Sequence, residues 1–158
     1  MKLIETTACT RFVQLTKGYI HYDVVAEQPT KIAMQQLAIT RWSFPMYAYF
    51  QSIDEVATTT WLQRQRASQM YTTISLSGVH KKPIPIYMAQ LNDAEALQQL
   101  CDDFFYVAEQ NFLFVLANEP CLQLEAEPMH MISKSAELLI AYYDGQGATF
   151  YTTKEENR

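Results

Sequence analysis

His21 and Asp23 stand two residues apart in the run Tyr19-Ile-His-Tyr-Asp-Val-Val25. Its alternation predicts a strand, and so places both side chains on one face. A histidine beside a carboxylate can act as a general base, because the neighbouring charge orients the imidazole and favours its protonated form. An ordinary solvated strand face shows the same polar alternation, and no third partner is visible in the sequence. A structural role is therefore the favoured reading, with His21 and Asp23 kept as the candidate acid/base pair.

Cys121, Glu125, Glu127 and His130 bring four metal-ligand types into one short stretch. Zinc sites generally rest on tight pairs such as CxxC or HxxxH, which hold two ligands on one local scaffold. No such pair is present, and His130 between Met129 and Met131 reads as core packing. Neither a metal nor a cofactor is expected. Nucleophilic chemistry is equally unmotivated: there is no G-x-S-x-G elbow, and Cys101 falls on the apolar face of a predicted helix, where desolvation keeps a thiol protonated.

The basic residues suggest a different kind of surface. Arg64 and Arg66 close one predicted helix, while His80, Lys81 and Lys82 crown the following loop. If they converge, the patch could hold a phosphate, a nucleic-acid backbone or an acidic protein. Basic residues also suit a helix C-terminus or a loop tip without any ligand. Arg64, Arg66, His80, Lys81 and Lys82 are the candidate binding residues. Asp102 and Asp103, with Glu109 further on, read as a solvated helix flank.

Composition narrows the classes. Four glycines in 158 residues, Gly18, Gly78, Gly145 and Gly147, cannot build a Walker loop or a Rossmann fingerprint, so no nucleotide is expected. The net charge of −5 is uneven: residues 1–79 hold seven Lys/Arg against five Asp/Glu, and residues 80–158 hold five against twelve. The acidic half lacks the broad basic surface of a nucleic-acid binder and suits either plain solubility or a basic partner. Three cysteines without a CxxC pair, and the lack of a signal-like h-region or a membrane-length apolar run, lead to the expectation of a cytoplasmic protein with free thiols.

The elements that must position these groups are legible in part. Phe12–Leu15 and Tyr19–Val25 read as two strands turning at Lys17-Gly18, followed by a helix from Pro29 to about Ile39. Trp42 to Phe50 alternates as a strand with one buried face. Residues 52–67 favour a helix with a Ser52/Glu55 capping box, against the strand preference of Thr58-Thr-Thr60. Tyr71–Leu76 and Ile84–Ala89 form a hairpin. Asn92 with Glu95 caps a helix whose apolar face runs Leu97, Leu100, Cys101, Phe104, Phe105, Ala108, and the run Phe112–Ala117 is a central buried strand. Leu122–Glu125 is a short strand, and Glu137–Tyr143 with Ala148–Thr152 is a closing hairpin around Asp144–Gly147.

This order predicts one α+β domain over residues 1–153, a mainly antiparallel sheet packed against two or three helices, and a frayed tail at 154–158. With no catalytic motif and abundant Tyr, Trp and Met, the expected function is a non-enzymatic interaction or regulatory module that binds a protein partner or self-associates. Within that class a bacterial or phage-type regulator, inhibitor or neutralising partner is the default. The alternatives are an enzyme using His21 and Asp23, and a nucleic-acid-associated protein using the basic residues.

Overall fold

Apolar runs that alternate poorly demand burial on both faces, and they decide the architecture. A computed structural model describes residues 1–7, 12–64, 70–74 (backbone only), 84–124, 128–142 and 144–156. Its strands are β1 (Lys2–Glu5), β2 (Val13–Gln14), β3 (Ile20–Val25), β4 (Met46–Gln51), β5 (Met70–Ile74), β6 (Ile84–Leu91), β7 (Phe114–Ala117), β8 (Leu122–Gln123), β9 (Met129–Met131), β10 (Leu138–Ala141) and β11 (Ala148–Thr152). Its helices are α1 (Thr30–Arg41), α2 (Glu55–Arg64), α3 (Ala94–Phe104) and the single turn α4 (Tyr106–Glu109). Among the described residues, no helix is long and apolar enough to cross a membrane.

The eight-stranded sheet runs β1-β3-β11-β10-β7-β4-β6-β5, every pair antiparallel, and a three-stranded sheet runs β2-β9-β8. The chain is therefore one α+β domain, as its pattern predicts. Helices cover one face of the large sheet through Met34, Leu37, Leu97, Leu100 and Phe104. The small sheet covers the other face through Val13, Leu122, Met129 and Met131. Central strands feed both cores: in β7, Phe114 and Leu116 face the helices while Val115 and Ala117 face the small sheet. That explains why Phe112–Ala117 shows no polar alternation.

Four expectations need correction. The strand expected over 42–50 with one buried face begins only at Met46, and both its faces are covered. Tyr49 is buried beneath the small sheet, and its hydroxyl accepts from the Cys121 N–H at 3.0 Å. The two strands flanking Gly18 do not pair as a hairpin. β2 leaves to lie parallel to β9, because Phe12 and Val13 belong to the second core. α3 is capped by Asp93, not Asn92: the Asp93 carboxylate accepts from Ala96 N–H at 2.8 Å, whereas Asn92 accepts from the Gln90 amide. Likewise Asp54, not Ser52, caps α2 by accepting from Ala57 N–H at 2.9 Å. Ser52 is buried against Thr58 Oγ1 at 2.8 Å. The threonines tolerate the helix because their hydroxyls bond back to carbonyls, Thr58 to Asp54 at 2.6 Å and Thr59 to Glu55 at 2.8 Å.

The closing hairpin β10–β11, the β5–β6 pair and the helix over 55–64 form where the pattern puts them. Unforeseen are β1 at the sheet edge and β9, whose Met129 and Met131 are buried while His130 is half-buried between them.

Candidate functional site

β3 does carry His21 and Asp23 on one face, the one away from the helices, since Tyr22 between them packs into the helix-side core. The His21 ring lies against Tyr151 on β11 with centroids 4.7 Å apart. Asp23 accepts a short hydrogen bond from the Tyr142 hydroxyl. Burial, and then the Asp23 carboxylate, raise the Tyr142 phenol above its ordinary pKa. The ring rests on Gly147, where an added Cβ would come within 2.6 Å of Tyr142 Cε2, so only glycine admits this placement. Each member of the candidate pair thus has a packing or hydrogen-bonding neighbour, and neither lines a cavity described below.

Arg64 is exposed at the end of α2. Arg66, His80, Lys81 and Lys82 lie outside the described residues, as do Glu125 and Glu127 of the candidate metal set. Among the described residues, no group of three or more His, Cys, Asp or Glu side chains is placed to hold a metal. Cys101 and Cys121 are buried free thiols. Burial first, with lesser help from Asp102 and Glu119 respectively, pushes each up to about 12. Neither is expected to react with a thiol reagent at about pH 8 until the protein unfolds, which mass spectrometry with and without denaturant checks. The linkage has a definite sign. The folded pKa exceeds the ordinary 9.0, so the stabilisation is intact below pH 9 and lost as pH rises through about 12. Denaturation midpoints should therefore fall over that alkaline window.

The arrangement that sequence reasoning missed centres on Arg41 and Glu137. Arg41 ends α1, and its guanidinium lies 4.5 Å over the Phe150 ring. Glu137 enters the buried strand β10, and its carboxylate accepts from Trp42 Nε1 at 2.7 Å, Thr152 Oγ1 at 2.8 Å and Arg41 at 3.4 Å. Glu156 forks onto Arg41 with contacts of 2.6 and 2.9 Å, and its own N–H donates to the Tyr22 hydroxyl at 3.2 Å. Burial works against the Arg41 charge, but the hydrogen bonds and charges of Glu156 and Glu137 outweigh it and hold the guanidinium above its ordinary pKa. Glu156 lies within the tail expected over 154–158, and these contacts join it to Arg41 and Tyr22. One signal was available in the sequence: Glu137 opens the apolar run Leu138–Ala141, and a carboxylate entering a buried strand requires partners.

This network fixes one wall of an open groove of about 890 Å³ lined by Leu3, Ile4, Glu5, Ile20, Tyr22, Glu155 and Glu156. Its floor is apolar, from β1 and β3, and its rim is acidic. Among the described residues, Glu5 and Glu155 form no ion pair, and both are exposed. A smaller cavity of 260 Å³ between the start of α1, α3 and the β10–β11 turn is spanned by the 3.0 Å Lys31–Asp102 ion pair. No protein-family model, curated protein or solved structure matches the chain. The functional reading accordingly rests on the geometry.

Proposed function

We propose that the chain is a protein-interaction module that receives a basic segment of a partner protein in the groove beside β1. The observation that carries this reading is the combination in one concave site of an apolar floor, Leu3, Ile20 and Tyr22, with the carboxylates of Glu5, Glu155 and Glu156. Arg41 offsets only part of that charge, since it is already shared by Glu137 and Glu156. A lysine or arginine stem would cover the apolar floor while its head meets the rim. The chain's overall charge of −5 favours encounter with such a segment.

The test is fluorescence anisotropy with a labelled short peptide alternating lysine and valine, beside a control with glutamate at each lysine. Binding of the basic peptide alone, weakening with salt, is expected. The paired substitution Glu5→Lys and Glu155→Lys should lower affinity roughly tenfold. Equal binding of both peptides, or affinity untouched by the charge reversal, would reject the reading.

A further inference from the structure

We infer that the basic segment binds as an added strand, extending the eight-stranded sheet at β1, and that it reads basic–apolar–basic at successive positions. The inference rests on the groove reading above and concerns how the partner lies in it.

β1 is an edge, because β3 is its neighbour on one side and, among the described residues, no strand pairs with the other. Its hydrogen-bonding phase follows from one contact. Thr6 N–H donates to His21 O at 2.9 Å, and in the register Glu5↔Tyr22 these two residues are directly opposite. Bonded and non-bonded pairs alternate along an antiparallel ladder, so Ile4 and Lys2 also bond to β3. Leu3 and Glu5 therefore turn their N–H and C=O groups outward. β1 carries no proline and no bulge, devices that commonly block edge pairing.

The side chains specify what an added strand must present. Leu3 packs against the helix-side core and lines the groove together with Glu5. Ile4, though it also borders the groove, alternates to the other face, where it is 52% exposed opposite Asp23 and diagonal to Val25, itself 47% exposed. Partner residues opposite Leu3 and Glu5 face the groove and its carboxylates, and these are the basic positions. The residue between them lies beside Ile4, and this is the apolar position. Added antiparallel, as every pair in this sheet is, the segment points the N–H groups of these same two basic residues at β1.

Charge decides against a second copy of the chain as the occupant. Edge-to-edge antiparallel pairing about a two-fold axis keeps each copy's faces aligned, so the Glu5, Glu155 and Glu156 carboxylates of both copies would crowd one face. Like charges placed across strands are destabilising.

The test leaves the protein unaltered. The lysine–valine peptide is made with backbone N-methyl groups on the lysine amides, or on the valine amides instead. Strand addition predicts at least about a tenfold loss of affinity for the first peptide, and little change for the second. If both peptides bind equally, or both weaken equally, while binding still depends on Glu5 and Glu155, strand addition is overturned and the groove reading stands. If the unmethylated peptide does not bind, both fail. A dimer seen by light scattering that the peptide does not disperse would place a second copy on the edge and overturn the inference.

Discussion

Glu137→Ala is expected to lower stability by about 3 kcal/mol. The substitution removes the acceptor of the Trp42 indole N–H and of the Thr152 hydroxyl, and it strips one carboxylate from Arg41. The Glu137 and Arg41 side chains are only 9% and 23% exposed, so water cannot readily replace what is lost. For a chain of this length such a loss corresponds to a fall in Tm of roughly 10 °C. Glu156→Ala should cost less than about 1 kcal/mol, because Arg41 keeps Glu137 and gains hydration in place of an outer partner. Urea denaturation of the two variants checks the contrast. Equal, small losses would mean that Glu137 is not the buried hub described above. Weaker peptide binding by Glu156→Ala, with stability nearly intact, would tie the network to the groove wall.

Phe104→Ala is expected to cost about 4 kcal/mol. Phe104 ends α3 at 4% exposure, with Phe50 of β4 4.9 Å away and Trp61 of α2 meeting it edge-on at 5.6 Å. One ring therefore joins two helices to the sheet, and the cavity left by its removal cannot close without moving all three. Its emission offers a second readout. Trp61 should shift to longer wavelength in this variant while Trp42, bonded to Glu137, should not. Single-tryptophan variants resolve the two. A loss below about 1.5 kcal/mol would indicate that α2 repacks freely and that the contact is incidental.

Local signals were legible where chemistry and position coincide. The apolar stripe Leu97, Leu100, Cys101, Phe104 specifies a helix because 3.6-residue periodicity puts all four on one side, and all four are buried. The unbroken run at Phe114–Ala117 specifies burial on two faces. Cap positions slipped, Asn92 to Asp93 and Ser52 to Asp54, since adjacent polar residues can each supply the oxygen and only the chain's path chooses between them. The turn at Gly18 was visible as a turn, with φ of +97°. Whether its strands pair with each other was not visible, since pairing is a competition with strands far away in sequence.

The candidate site was less legible. His21 and Asp23 attract attention because they are close in sequence, yet proximity along a strand says nothing about a cavity. The groove joins residues 3–5, Ile20, Tyr22 and residues 155–156, and no short window along the chain contains them all.

By itself, the sequence determined the class of object: an α+β domain whose helices and strands follow from periodicity, with too few glycines for a phosphate loop. The tertiary structure alone decided that β1 is an edge, that Tyr49 faces a second sheet, and that Arg41, Glu137 and Glu156 meet. The physical reason is range. Periodicity and capping act over a few residues, whereas strand order and ion pairing depend on contacts between residues far apart in the chain, 115 residues in the case of Arg41 and Glu156.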